Sequence, residues 1–217
     1  MLLAAVAGLA VAAPVRPAGL CDRPVYLFGD SSLLARGVRA SGSADLPARM
    51  KVFFRRVCGD GIKVETIARD GGRLGDDVDA IAERLARTVP SIAIVHYPSS
   101  DIEAGASVDQ LLRAYSRMAQ ACASSVSICV VGGQLPVNSF TRAANDRQIE
   151  LESRASYGLG SNYLPLHRHF ESESGTRRLM MPLDSGDGRL VNDAGHATLF
   201  ELYRRRLIEL TRPGMPR

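Results

Sequence analysis

The sequence predicts an α/β fold, with a mostly parallel sheet and helices on both of its faces. Three observations carry this. Short runs rich in Val, Ile and Leu alternate along the chain with longer stretches whose apolar residues recur every three or four positions. The connections between them are short, as parallel strands joined by crossover helices require. Hydrophobic residues make up 46% of the 217 positions and charged residues 23%, enough apolar chain for one sizeable core.

The elements follow in order. Residues 24–28 are an apolar run that reads as a buried strand, and residues 45–57 carry a helical pattern. Residues 62–68 are a second strand; residues 74–88 are an amphipathic helix that stops at Pro90. A third strand covers 91–97, and a helix over 107–123 has Ser107 as its cap. Residues 125–133 form a fourth strand closed by two glycines, and residues 142–158 are again helical. The stretch 161–190 is the least regular, and a last helix covers 192–210. No repeat or linker interrupts the pattern, so residues 21–212 are expected to form one domain, with 213–217 a tail.

Residues 1–20 read as a signal or leader segment. The first thirteen are small and apolar, and Ala10-Val11-Ala12 offers an A-x-A cleavage site. The run is too short to span a bilayer as a helix. A frayed tail is the alternative. Export to the periplasm or outside the cell suits the cysteines, which number four: Cys21, Cys58, Cys122 and Cys129. None stands in a C-x-x-C pair, which speaks against zinc. Of the three possible pairings, Cys21–Cys58 would tie the first strand to the end of the first helix, and Cys122–Cys129 would close a helix-to-strand turn. In a reducing compartment the same residues would be half-buried thiols. The formal charge of +4 comes from scattered arginines with no basic stripe interleaved with aromatics, so nucleic acid is not an expected partner.

In a sheet of this kind, ligands bind at the carboxyl ends of the strands. Three turns fall there: Gly29-Asp30-Ser31-Ser32, Arg69-Asp70-Gly71-Gly72 and Tyr97-Pro98-Ser99-Ser100-Asp101. Ser31 follows the first strand directly and opens a helical segment, where a hydroxyl is exposed and backbone N–H groups point outward. Gly72 can let a carbonyl approach a backbone N–H closely. Ser100 can add a hydroxyl donor. Each also has a plainer role: Asp30 and Ser31 as a turn and cap, Gly72 as a strand end, Ser100 and Asp101 as caps of the following helix.

Taken together these motifs resemble those of the SGNH (GDSL-type) hydrolases. The sequence FGDSSLLARG (28–37) is similar to the family's first block and puts Ser31 at its nucleophile. IARDGGRLGDD (67–77) is similar to the second, with Gly72 at the oxyanion glycine, and residues 94–118 resemble the third. DGRLVNDAGHATLFELY (187–203) resembles the fifth. The resemblance implies a flavodoxin-like three-layer α/β/α sandwich and metal-free, cofactor-free hydrolysis of an acyl ester or an acylated saccharide through a covalent acyl-enzyme. The chain departs from the pattern at three places. Pro98 stands for a glycine, Ser100 for the oxyanion asparagine and Leu190 for the histidine that follows Asp187 in the family's D-x-x-H. A second D-x-x-H lies six residues on, so His196 is the candidate base, oriented by Asp193 or Asp187. The competing expectation is a catalytically impaired domain that binds an acylated glycan or a protein; a third is acyl transfer in an envelope polysaccharide system. Of the other histidines, His96 on the third strand reads as a hydrogen-bonded core residue, and His167 and His169 as surface or loop residues. Gln134, at a strand end, is expected either to line the cleft or to shape a turn.

Overall fold

The structure, a computed structural model, describes residues 19–34, 45–88, 90–172 and 178–211. The expected leader falls outside these residues except for Gly19 and Leu20, and the expected tail falls outside them entirely. Five parallel strands form one sheet in the order β2-β1-β3-β4-β5. They are β1 (Val25–Gly29), β2 (Val64–Ala68), β3 (Ile92–His96), β4 (Ile128–Gly132) and β5 (Tyr163–Leu164). The first four match the sequence reading. β5 lies in the irregular stretch and is too short to show a period.

Side chains alternate between faces along each strand. Tyr26, Phe28, Ala93, Val95, Cys129 and Val131 point to one face. There they meet α2 (Leu74–Arg87), α4 (Val108–Ser124) and α5 (Arg142–Leu159). Val25, Leu27, Ile92, Ile94 and Val130 point to the other, against α1 (Leu46–Cys58) and α7 (Asp193–Leu210). The three layers are therefore dictated by period 2 in the strands and by apolar stripes in the helices. In α1 the stripe is Leu46, Met50 and Phe54, all fully buried; each contributes about 1.5–3 kcal/mol of transfer free energy.

The helix starts are capped from the sequence itself. Asp45 accepts from Ala48 N–H at 2.7 Å at the head of α1. Ser107 and Gln110 form a reciprocal capping box on α4. Asn192 accepts from the N–H groups of Ala194 and Gly195 at 3.0 and 3.1 Å at the head of α7. α2 starts at Arg73 with no side-chain cap of its own. Its cap comes from across the sheet edge: Asp101, in the short helix α3 (Ser100–Glu103), accepts from Leu74 N–H at 2.8 Å and Gly75 N–H at 2.9 Å.

Both expected cysteine pairs are disulfides: Cys21–Cys58, with Cα atoms 5.1 Å apart, and Cys122–Cys129, at 6.1 Å. Among the described residues no helix is long and apolar enough to cross a membrane. The strand order winds outward in both directions from β1 and β3. The gap between their carboxyl ends is the topological switch point, where such sheets hold ligands.

Candidate active site

β1 ends at Gly29, which pairs in register with His96 at the end of β3. A Cβ at position 29 would stand 2.5 Å from the His96 carbonyl oxygen and 2.5 Å from the Leu33 side chain, so only glycine lets the chain turn here. The next residue, Asp30, caps a 3-10 turn over Ser31–Leu33. One oxygen of its carboxylate accepts from Ser32 N–H at 2.9 Å. The other accepts the hydroxyl of Ser100. The capping role expected for this turn and its place at the switch point therefore hold together.

Ser31 lines a small, tight hollow at the strand ends. Ser32, Ser99, Arg189, Leu190 and His196 line it too, with Leu135 and Val191 at its apolar side. The chain thus brings a serine hydroxyl and one imidazole to the same small space from positions 165 residues apart. Two larger clefts contain none of these groups. One, between α2 and α4, is walled by Arg73, Arg113 and Arg117. The other, at the amino-terminal edge of the sheet, runs beside Val126 and Leu210. Size does not mark the site here; convergence of polar groups at the strand ends does.

His196 sits in the first turn of α7 and is 1% exposed. Its Nδ1 accepts from Leu46 N–H at 3.3 Å. That bond occupies the Nδ1 lone pair, so the neutral ring carries its proton on Nε2. Nε2 itself is buried and meets no hydrogen-bond partner among the described residues. Burial lowers the pKa of this ring to about 4, helped by Arg49 and opposed by the carboxylates of Asp45 and Asp193. The ring is neutral throughout the physiological range.

His96 is fully buried behind it. Its Nδ1 lies 2.9 Å from the Tyr203 hydroxyl, which donates to Val95 O at 3.2 Å; His96 Nδ1–H is therefore the donor to the tyrosine oxygen. Gly132 gives the Tyr203 hydroxyl its room, since a Cβ there would lie 1.9 Å from it. Burial, with a smaller contribution from His196, lowers the His96 pKa to about 3. This is the hydrogen-bonded core histidine the sequence suggested.

Ser100 is buried and gives its hydroxyl proton to Asp30. Gly72 N–H donates to Arg69 O at 3.1 Å in its own turn, and Gly72 does not line the hollow. Asp187 is exposed; one of its oxygens accepts from Ser185 Oγ and from the N–H groups of Arg189 and Leu190 at 2.8–2.9 Å. Burial raises the Asp187 pKa, but the N–H groups of Leu190 and Arg189, the Ser185 hydroxyl and the Arg189 charge together outweigh it and leave the carboxyl lowered. Asp193 is close enough to influence the His196 ring but does not line the hollow. Asp101 caps α2, the helix before it rather than the one after.

Gln134 does not line the hollow; its side chain is fully buried and donates to Tyr97 O and Tyr115 Oη. His167 is buried too, with Nδ1 3.6 Å from Glu171. The surface reading fails for it because α6 (His167–Phe170) packs inward beside β5. No motif in the sequence marks Arg189 or Glu103. Their side chains pair at 2.5 Å and link the loop before α7 to α3. The one clue was the adjacency of Arg189 to Leu190 in the degenerate fifth block. Among the described residues, no three His, Cys, Asp or Glu side chains cluster as metal ligands.

No protein-family profile matches the chain, and a search of curated proteins finds no match. Solved structures do match. A GDSL-like lipase from Bacteroides thetaiotaomicron superposes with a TM-score of 0.64 at 12% identity, over 87% of this chain and 89% of the lipase. A member of the lipolytic G-D-S-L family from Veillonella parvula gives 0.64 at 10% identity, over 84% and 97%. The esterase EstA from Pseudoalteromonas, in a form inhibited by monoethylphosphonate, gives 0.62 at 9% identity, over 87% and 98%.

Proposed function

The chain has the fold of the SGNH (GDSL-type) hydrolases, and on that premise we propose that it cleaves acyl esters through Ser31. The observation that carries this is the shared hollow: Ser31 and the His196 imidazole line one space at the β1/β3 switch point. Ser31 Oγ attacks the acyl carbon, and its proton passes to His196 Nε2. The resulting oxyanion collapses, the C–O bond to the alcohol breaks, and His196 returns the proton to the leaving oxygen. Water then releases the acid by the same route.

Two features slow this scheme. The resting ring carries its proton on Nε2, so accepting one there requires the Nδ1 tautomer and the loss of the Leu46 N–H contact. A ring whose pKa is about 4 is also a weak base. Hydrolysis of p-nitrophenyl butyrate tests the reading. We expect slow turnover that falls at least 10²-fold in Ser31→Ala, as expected when a nucleophile is removed. Turnover that survives the substitution contradicts it.

A second reading is favoured by Leu190, which lines the hollow where the family resemblance puts a histidine, and by the commitment of the Ser100 hydroxyl to Asp30. In that reading the hollow binds an acylated glycan or a protein partner without turnover; transfer of the acyl group to a sugar is the third possibility. Wild-type protein that binds but never hydrolyses selects the second. The two disulfides support an oxidising compartment, and periplasmic or secreted placement is part of the proposal.

A further inference from the structure

Three side chains that line the Ser31 hollow carry a buried polar atom with no hydrogen-bond partner among the described residues: Ser32 Oγ, Arg189 Nε and His196 Nε2. Such atoms are rare in folded proteins and call for an explanation. Arg189 Nε–H can only donate. His196 Nε2–H donates in the tautomer that Leu46 imposes, and the Ser32 hydroxyl is free to donate. The one carboxylate on the lining, Asp30, already accepts one hydrogen bond at each oxygen, from Ser32 N–H and from Ser100 Oγ–H. The buried unpartnered atoms on this lining are therefore ones that donate, Arg189 Nε–H and His196 Nε2–H with the Ser32 hydroxyl beside them. Their complement is an oxygen atom rich in lone pairs.

His196 has a part in the scheme above; Arg189 and Ser32 have none. We propose that Arg189 Nε–H and Ser32 Oγ–H bind the carbonyl oxygen of the acyl group and hold the oxyanion that forms from it. The proposal rests on reading the Ser31 hollow as an acyl-ester site. It supplies the donors that the family resemblance assigned to Gly72 and Ser100, whose donors are spent on Arg69 O and Asp30. Arg189 is held at both ends. Its backbone N–H donates to Asp187 Oδ1 at 2.8 Å, and its Nη2 lies 2.5 Å from Glu103. The Nε–H between these anchors is fixed in place, as a preorganised oxyanion donor must be. As Ser31 Oγ bonds to the acyl carbon, the carbonyl π pair moves onto oxygen and both donors strengthen their bonds to it. On collapse the pair returns to carbon and the alcohol leaves. Neither donor gives up its proton.

The test uses the whole protein, p-nitrophenyl butyrate and four variants. Arg189→Met is expected to lower kcat about 10²–10³-fold, the loss seen when one oxyanion donor is removed, with KM changing less than about threefold. Arg189→Lys should lose about as much, because lysine has no donor at the Nε position. Ser32→Ala should also lower kcat rather than raise KM. Glu103→Gln removes the charge but keeps a side-chain carbonyl that can accept from Arg189 Nη2, so the anchor persists and a loss below about tenfold is expected. No loss of kcat in Arg189→Met, or a loss that appears in KM alone, would reduce Arg189 to a surface clasp and overturn the proposal. If the wild type shows no Ser31-dependent turnover, the hydrolase reading fails, and calorimetric binding of ethylphosphonate decides the donor assignment alone. A Kd at least tenfold weaker in Arg189→Met supports it. An unchanged Kd, or no binding by the wild type, refutes it.

Discussion

Lowering the pH should destabilise this protein through two histidines, and His196→Asn isolates one of them. Both rings are buried neutral, with pKa values lowered from 6.5 to about 4 for His196 and about 3 for His96. The unfolded chain therefore binds more protons than the folded one between pH 6.5 and these values. Stability is full above pH 6.5 and falls as the pH drops towards 4, below which the His196 loss is complete. Integrated from pH 8 to pH 4.5, each ring costs about 2–3 kcal/mol, or about 5 kcal/mol together, a large share of the 5–15 kcal/mol available to a domain. Burial raises the carboxyls of Asp101, Glu103 and Glu152, and these act in the opposite sense, but they are common to wild type and variant and cancel in the difference. Asn at 196 keeps an acceptor for Leu46 N–H and cannot be protonated. Urea unfolding followed by circular dichroism at pH 8, 6 and 4.5, with disulfides intact, gives the two curves. The variant should lose about 2–3 kcal/mol less than the wild type over that range, whatever its stability at pH 8. Parallel curves would refute the reasoning, for they would mean that the ring is solvated or already paired with a carboxylate.

Three further predictions follow from the same geometry. The acid limb of kcat/KM should fall near pH 4, because the base is lost as His196 is protonated, and a limb near 6.5 would point to a solvated histidine. Leu190→His puts an imidazole into the hollow three residues after Asp187; kcat for p-nitrophenyl butyrate should rise, within the about 10²–10⁴-fold range of general-base catalysis, and no gain would show that position 190 cannot reach Ser31. Replacing Cys21 and Cys58 by serine should cost about 4 kcal/mol, against about 2 for Cys122 and Cys129, from loops of 37 and 7 residues; the reverse order in urea midpoints would contradict the loop-closure account.

The layers and four of the five strands are legible in the sequence because each depends on local periodicity and on caps a few residues apart. β5 is not, since Tyr163 and Leu164 are too few to show a period and take their place only by pairing with Val131 and Gly132. At the site, Asp30-Ser31 at a strand end is a local signal, and Ser31 does lie at the switch point. What decides the chemistry is not local. Ser100 meets Asp30 across 70 residues, and the tautomer of His196 is set by an N–H 150 residues away. His167 looked like a loop residue because nothing in its neighbourhood shows α6 turning inward. Arg189 is not legible because an arginine beside a degenerate motif has the pattern of surface charge, and only the fold buries its Nε.

Treating the protein with a fluorophosphonate and locating the adduct by mass spectrometry tests the nucleophile most directly. A phosphonyl group on the peptide that contains Ser31, and none on Ser31→Ala, is the predicted result. Protein that stays unlabelled, or labels equally when Ser31 is alanine, contradicts the assignment of that hydroxyl as the nucleophile.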